Sequence, residues 1–564
     1  MESVKRKLDL DFIRQYYESS NPSLVQDLER VDAACRKIST FWSEYDYGHV
    51  EANGFRSFVT KCNMLMEKMR ILIQNQDDGK LLQGYVAFVP ALLRQVTILE
   101  LVRDKDVDGP HDKTRFYFPQ DSTILQLMLT TSGTELRPLY TMPGAYWLHP
   151  AFAYMITSIR YLIVFKNFSW SGRRKLLASP SYFGDQVVHM VQHMDVNKIR
   201  ELTSLSSKFP VNALLAFARR VRGTITSYND FPRQHEWQFD LKDADSPLQI
   251  VRANVESDVI QSSVKCLILK SQAPDCNTLI FHVHGSAYVT MTPADHETYL
   301  SNWCRSLNAA VVAPDYAKAP EHPFPSGLQD LLDAYLHLTT RDGTALLDFQ
   351  PERVILTGDS AGGNMALALL FALNEINRRL GGEMVMPIGV CLQSPLANAL
   401  SVPASGAQTC FDLVLPSALA VATASSYAKT DPETDNSWFL KEGTDLETIE
   451  RIITRWTPRI RDPFFNVLAY ERWEELGDIP LMIQVGEFDG LLDHATEIAK
   501  RWKGSVTLDI EERMPHGFQL MPTSGSVIVR RLQQIIYPEV GELKGEVIED
   551  RNAPGIVTSL QYEF

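Results

Sequence analysis

One serine in this sequence has a setting that suits nucleophilic chemistry. The apolar run Val354–Thr357 leads into Gly358-Asp-Ser-Ala-Gly362, and a long apolar helix is predicted from Asn364 onward. A nucleophilic serine needs such a sharp strand-to-helix turn, because the turn exposes its Oγ near a helix N-terminus and the glycines leave room for the crossing. Gly-x-Ser-x-Gly alone occurs by chance in many proteins, so the strand-turn-helix setting supports Ser360 as a nucleophile. The bland alternative is a glycine-rich loop that only packs.

An acid and a base should follow this type of turn, in that chain order. The apolar run 481–485 predicts a strand, and Asp489 comes just beyond it. Asp493 is the second candidate, although its position better suits the cap of the next helix. His516 lies in a loop after a later strand, between a proline and a glycine. We therefore predict that His516 transfers the proton and that Asp489 orients its imidazole ring.

Backbone N–H groups must also stabilise the negative charge that develops on the substrate oxygen. At this type of turn they come from the residue after the serine, here Ala361, and from a loop after an early strand. The stretch His282–Tyr288 occupies the place of that loop. His284 begins the loop and precedes the serine, so we predict that it hydrogen-bonds the loop backbone and is not the catalytic base.

The elements that must position these residues change in character near residue 235. Before it, apolar residues recur at helical spacing, as in Cys62–Ile73. After it, short apolar runs alternate with helical segments, which predicts a mostly parallel sheet covered on both faces. We expect an α/β protein with a largely helical N-terminal domain (1–235), an α/β-hydrolase domain (236–545) and a C-terminal tail (546–564).

Composition excludes some functions. The chain has 564 residues, and its formal net charge of −14 argues against broad electrostatic binding to nucleic acid or anionic membranes. Its seven cysteines are scattered without a Cys-x-x-Cys pair, which fits reduced thiols in the cytosol and neither disulfides nor a zinc site. The charged N-terminus lacks the apolar core of a secretory signal.

Two apolar stretches, 84–102 and 146–165, were candidates for membrane spans. Both contain charged residues, each of which would cost about 3 kcal/mol at the centre of a bilayer. We therefore expect both to be buried helices of a large helical domain.

With these residues in hand, the hydrolase half resembles the hormone-sensitive lipase family. The matching motifs span most of residues 278–520: His284-Gly285, Asp315-Tyr-Ala-Lys-Ala-Pro-Glu-His-Pro-Phe-Pro325, Gly358-Asp-Ser-Ala-Gly-Gly-Asn364, Asp489-Gly-Leu-Leu-Asp493 and Pro515-His-Gly-Phe518. The helical half is similar, more weakly, in length and texture to the N-terminal domain of the animal type. Bacterial esterases of the family lack such a domain.

The resemblance implies hydrolysis of lipid esters through an acyl-enzyme: diacylglycerol, other acylglycerols and cholesteryl esters, in the cytosol and at lipid droplets. Carried over residue by residue, Ser360, Asp489 and His516 form the triad. The N–H groups of Ser286, Ala287 and Ala361 match the oxyanion donors. We expect lipid esters and the lipid-droplet surface as partners, with a homodimer left open, and no cofactor, metal or nucleic acid.

One motif departs from the family pattern His-Gly-Gly-Gly, because Ser286 and Ala287 replace its second and third glycines. The N–H donors survive, but a Cβ costs about 1–2 kcal/mol where the loop needs a left-handed backbone. A misplaced donor lowers turnover on the order of a hundredfold. Two alternatives therefore stay open: a carboxylesterase for short esters, and a non-catalytic hydrolase-fold protein that binds a ligand.

Overall fold

The computed structural model describes the following residues of the chain. They are 8–48, 50–76, 79–106, 122–130, 200, 224–232, 235–239, 248–253, 263–271, 277–285, 287–339, 347–382, 384–412, 415, 417–428, 445–520 and 525–536.

The described residues of the N-terminal part form mainly helices. Its helices are α1 (Asp11–Tyr17), α2 (Pro22–Ser39), α3 (Gly54–Gln74), α4 (Lys80–Lys105) and α5 (Ser122–Thr130). Side-chain oxygens of Asn21 and Asn53 accept hydrogen bonds from first-turn amides of α2 and α3, which satisfies donors that have no partner within the helix. The apolar stretch 62–73 lies in α3, as its spacing predicted.

Helix α4 contains the apolar stretch 84–102. Among the described residues its segment Leu82–Lys105 is the one helix long and apolar enough to cross a membrane. Half of the most apolar stretch of this segment is buried inside the protein. Phe88, Leu92 and Ile98 belong to the hydrophobic core, and α4 packs on α2 and α3. This packing favours a core helix. The second stretch, 146–165, lies outside the described residues.

The C-terminal part is built on an eight-stranded sheet of order β1-β4-β6-β5-β7-β8-β9-β10. The strands are β1 (Thr224–Pro232), β4 (Ser263–Ser271), β5 (Thr278–Val283), β6 (Ala310–Pro314), β7 (Arg353–Asp359), β8 (Pro387–Gln393), β9 (Leu481–Gly486) and β10 (Val506–Glu511). Strand β4 pairs antiparallel with both β1 and β6, and all other neighbours in this sheet pair in parallel. A separate hairpin joins β2 (His235–Phe239) to β3 (Leu248–Ala253).

The predicted α/β class with a mostly parallel sheet is confirmed. The sheet begins at Thr224, before the boundary expected at residue 236, because β1 pairs with β4 along its whole length. Apolar spacing alone had not indicated a strand there. The outer limits of the predicted domains remain predictions.

Helices cover both faces of the sheet. Those that pack on strands are α6 (Pro293–Leu307), α7 (Ser326–Thr339), α8 (Ala361–Arg379), α11 (Leu492–Arg501) and α12 (Gly525–Ile536), whereas α9 (Ser417–Ala428) and α10 (Leu446–Ile460) pack on α5. Strand β5 is buried throughout: Leu279 and Phe281 join the larger core, while Ile280 joins a second core with Leu300 and Trp303 of α6. Burial on two faces explains why the strands are continuous apolar runs.

Parallel strands end at the same edge of a sheet, and ligands bind at that edge in open α/β folds. Here β5, β7, β9 and β10 run parallel, so the loops that follow them meet. These loops carry residues 284–288, 360, 487–493 and 516. The topology therefore gathers the sequence candidates at one end of the molecule.

Hydrogen bonds join the helical part to this edge. The Asp493 carboxylate accepts from the N–H of Gly54 (2.9 Å) and from the N–H of Ser405 (2.7 Å). The Ser57 hydroxyl donates to the carbonyl oxygen of Glu487 (2.7 Å). A Cβ on Gly54 would lie 2.1 Å from the backbone nitrogen of Ser405, so the start of α3 packs directly against the backbone of the loop that contains Ser405. The two parts share one interior.

Replacing Asp493 by alanine should weaken the whole fold. Asp493→Ala removes the acceptor from two amides that stay buried, and each such loss costs about 1–3 kcal/mol. We expect the free energy of unfolding, measured by urea denaturation, to fall by about 2–4 kcal/mol. Asp478→Ala, at an exposed position, is the matched control. A loss no larger than that of the control would contradict this account of the joint.

Candidate active site

Ser360 stands on a strained turn between β7 and α8. Its φ of 56° and ψ of −124° lie where residues with a side chain are rare. A Cβ on Gly358 would lie 2.5 Å from the carbonyl oxygen of Gly362, and a Cβ on Gly362 would lie 2.1 Å from that of Val283. Only glycine permits this close crossing of strand and helix, so both motif glycines are needed for the turn.

A continuous hydrogen-bond chain starts at this serine. Ser360 Oγ lies 2.9 Å from His516 Nε2. On the other side of the ring, Nδ1 lies 3.0 Å and 3.2 Å from the two carboxylate oxygens of Asp489. Donation from Nδ1 to the carboxylate leaves Nε2 free to accept the serine proton. The second acid candidate, Asp493, does not belong to this chain of hydrogen bonds. Its carboxylate accepts instead from the N–H of Gly54, in the helical part, and from the N–H of Ser405.

The negative charge of Asp489 raises the pKa of the His516 imidazole. Burial lowers the pKa of His516, but the attraction of Asp489 and its hydrogen bond raise that pKa more, and the net result is a pKa raised to about 9. Asp412 and Asp359 raise it further by their charge. The imidazolium that forms on proton transfer is therefore stabilised where it lies.

The loop after β5 reaches the serine with a left-handed backbone. Ala287 has φ of 49° and Tyr288 has φ of 65°. A glycine would adopt this conformation freely, whereas Ala287 bears a cost of about 1–2 kcal/mol. Ser286 lies outside the described residues. Ala361 begins α8, and first-turn amides of a helix have no partner within it, so its N–H can serve an anion.

His284 lies against the backbone of the same loop. Its Nδ1 is 3.2 Å from the carbonyl oxygen of Gly285, and its ring stacks on Tyr316 with centroids 4.5 Å apart. The Tyr316 hydroxyl donates to the carbonyl oxygen of His284 (2.9 Å). Burial holds the pKa of His284 well below its ordinary value, so the ring stays neutral. Through these contacts His284 stabilises the backbone of the loop.

Asp359, which sequence reasoning did not single out, connects this loop to the nucleophile. Its carboxylate accepts from the N–H of Gly285 (2.7 Å) and from Gln519 Nε2 (3.3 Å). Burial raises the pKa of Asp359, but His296, His282 and the Gly285 N–H lower it more, so it lies well below its ordinary value. An acid at the end of a buried strand was the available signal, since a buried carboxylate requires partners.

Asp359 and two histidines also form a buried cluster of side chains that could hold a metal ion. The ligand atoms of His282, His296 and Asp359 all lie within 4.8 Å of one another. The Tyr299 hydroxyl lies among them, 3.0 Å from His282 Nε2 and 2.8 Å from His296 Nδ1. Because that hydroxyl fills the space where a metal ion would bind, the cluster is better described as a hydrogen-bonded support.

An apolar pocket opens beside Ser360. It encloses about 770 Å³ of empty space, part of it open to solvent. Its walls come from the loop 396–406, from α9 and from α5 of the helical part, and they include Leu396, Leu400, Val402, Ala420, Ala424, Leu491 and Met128. Such a pocket suits the apolar part of a small ligand. The helical part thus contributes directly to the surroundings of the serine.

Comparison with known proteins agrees with this fold. Residues 280–520 match the family described as alpha/beta hydrolase fold. This segment of the chain therefore has the α/β-hydrolase fold, as its sheet order and turn indicate.

Several named relatives agree with the predicted resemblance. Hormone-sensitive lipase from Bos taurus is 32% identical over 173 residues, which are 30% of this chain and 22% of the relative. The Homo sapiens protein of that name is 33% identical over 173 residues, or 31% of this chain and 15% of the relative. An esterase from Acinetobacter venetianus is 32% identical over 127 residues, 22% of this chain and 38% of its own length. The predicted relationship to the animal hormone-sensitive lipases is confirmed, although the matched stretch spans less than a quarter of the mammalian proteins.

The pH dependence of any reaction at this serine should follow His516. A general base must be neutral, so a pKa of about 9 means that kcat/KM for an uncharged ester rises as pH rises through about 9 and falls below it. In Asp489→Asn the charge is gone and burial lowers the pKa, so the inflection should move to lower pH. The maximal rate should drop on the order of 10⁴-fold.

A pH–rate profile on p-nitrophenyl acetate measures both effects. The rate of Ser360→Ala at each pH is the background to subtract. An inflection that stays in place in Asp489→Asn would contradict the role given to this carboxylate.

Proposed function

We propose that the protein is a serine hydrolase that cleaves carboxylic esters of lipids through an acyl-enzyme. The observation that carries this proposal is the hydrogen-bond chain from Ser360 through His516 to Asp489, beside an apolar pocket. The similarity to proteins named lipase and esterase supports it.

The proposed reaction has two steps. Ser360 Oγ attacks the ester carbonyl while His516 Nε2 takes its proton, and Asp489 stabilises the imidazolium. The N–H groups of Ala361 and of the loop residues Ser286 and Ala287 hold the oxyanion. His516 then protonates the leaving alcohol, and the acyl group stays on Ser360. A water molecule, deprotonated by His516, attacks the acyl-enzyme and releases the acid.

Lipid esters are the proposed substrates because the space beside Ser360 is lined mainly by aliphatic side chains. We propose diacylglycerol, other acylglycerols and cholesteryl esters, in keeping with the relatives' name. Action in the cytosol and at lipid droplets belongs to the same proposal, as does a homodimer. A short-chain carboxylesterase and a non-catalytic binding protein are the competing functions.

A direct assay separates these functions. The protein and its Ser360→Ala variant are compared on a short p-nitrophenyl ester and on emulsified diacylglycerol. We expect the parent to hydrolyse both and the variant to lose at least about 10⁴-fold in rate, because the nucleophile is gone. Equal background rates for the two proteins on both substrates would exclude an enzyme. Hydrolysis of the short ester alone would favour the carboxylesterase.

The acyl-chain preference should depend on Met128 of the helical part. Met128→Ala enlarges the pocket and Met128→Trp fills it, so kcat/KM across p-nitrophenyl esters from acetate to laurate should shift toward longer chains in the first and shorter chains in the second. Pocket contacts of this kind change selectivity by about tenfold or more.

Met69→Ala is the matched control, because Met69 is equally buried in α3 but does not line the pocket. We expect it to lower stability while the order of preferred esters stays the same. An unchanged order in both Met128 variants would show that α5 does not shape the substrate site.

A further inference from the structure

A stacked pair of tyrosines supports the end of the loop beside Ser360. The ring of Tyr288 lies on that of Tyr427, with centroids 3.7 Å apart and an interplanar angle of 5°. Both rings are buried, and neither hydroxyl has a hydrogen-bond partner among the described residues. The pair is therefore held by ring packing and not by its polar groups.

Tyr427 is itself fixed by further aromatic contacts. Its ring packs on Phe465 (centroids 5.3 Å apart, 19°) and meets Phe324 edge to face (5.7 Å, 81°). The backbone N–H of Phe324 donates to the carbonyl oxygen of Tyr427 (3.1 Å). Tyr288 thus rests on a rigid support that belongs to other parts of the chain.

The same helix also forms a wall of the pocket. Ala420 and Ala424 of α9 line the pocket, and Tyr427 follows at the spacing that keeps all three on one face of the helix. One helix therefore contacts the space for the substrate and the loop that carries the proposed oxyanion donors.

The loop needs such support because its backbone is strained. Ala287 and Tyr288 are consecutive residues in the left-handed region, which residues with a Cβ rarely adopt. Strained backbone of this kind persists only where surrounding structure holds it. The Gly285 N–H is tied to Asp359 at the start of the loop, and the tyrosine stack holds its other end.

We infer that Tyr427 is a positioning residue for the oxyanion loop. Its ring holds Tyr288, and through Tyr288 it orients the N–H of Ala287 toward the oxyanion formed at Ser360. The inference rests on the proposed function. It adds to that function a residue of α9 that contacts neither the triad nor the reacting atoms.

Two substitutions at Tyr427 and one matched control test the inference. Tyr427→Leu removes the stack, whereas Tyr427→Phe keeps the ring and removes a hydroxyl that has no hydrogen-bond partner among the described residues. Tyr470→Leu is the control: Tyr470 stacks with nearly the same geometry (3.9 Å, 3°), but its partner Phe371 belongs to α8 and not to the oxyanion loop. Thermal unfolding of each variant is followed alongside kinetics on p-nitrophenyl acetate.

We expect kcat of Tyr427→Leu to fall by about ten- to a hundredfold, with KM changed much less, because a displaced oxyanion donor loses part of the effect, about a hundred- to a thousandfold, that its complete removal has. Tyr427→Phe should restore kcat to near the parental value. Tyr470→Leu should lower the melting temperature without this loss of kcat. Inhibition by a trifluoromethyl ketone, whose adduct with Ser360 carries an oxyanion, should weaken in parallel with kcat in Tyr427→Leu alone.

Three results would overturn the inference: parental kcat and ketone inhibition in Tyr427→Leu, an equal loss in Tyr427→Phe, or an equal loss of kcat in Tyr470→Leu. Where leucine unfolds the chain, Tyr427→Met takes its place with the same expectations. Failure of the proposed function is recognised separately, because the parent would then hydrolyse the ester no faster than Ser360→Ala, which overturns both.

Discussion

The arrangement of the site depends on how closely α8 lies on the end of β5. A Cβ on Gly362 would come within 2.1 Å of the Val283 carbonyl oxygen and 2.6 Å of that of His284. At this separation the first turn of α8 and the loop after β5 share one space, so the N–H of Ala361 lies beside a loop from a different strand. Asp359 completes the contact by accepting from the Gly285 N–H. Two backbone segments distant in the sequence thereby meet beside Ser360.

The helical part belongs to the same structural unit as the sheet. Ser57 bonds the backbone of Glu487, two residues before Asp489, and Met128 lines the pocket beside Ser360. A substitution in these helices can therefore alter the loop that carries Asp489, or the pocket beside Ser360, without changing the triad residues themselves. The helices are part of the surroundings of the site and not an independent module attached to it.

Local features of the sequence predicted much of this organisation. The turn at Ser360, the order of the acid and histidine candidates and the alternation of strands with helices all have short-range signatures. The support of the site does not, because it depends on contacts between distant residues. Asp359 gains its significance from Gly285 and Gln519, and the pairing of Tyr288 with Tyr427 follows from no spacing in the chain. The strand β1 was missed because its place is defined by β4, its partner.

The joint between Gly54 and Asp493 has a consequence for how the chain acquires its structure during synthesis. These residues are 439 positions apart, and Ser57 and Glu487 are 430 apart. The helices leave the ribosome first, yet the surface on which they close is made only near the other end of the chain. Contacts of such separation are slow to form, and apolar surface that waits for its partner is prone to aggregate. Helix α4, apolar enough to resemble a membrane span, also waits for such a partner, because its Gln95 side chain donates to the carbonyl oxygen of Ala407 (3.1 Å), which is translated 312 residues later.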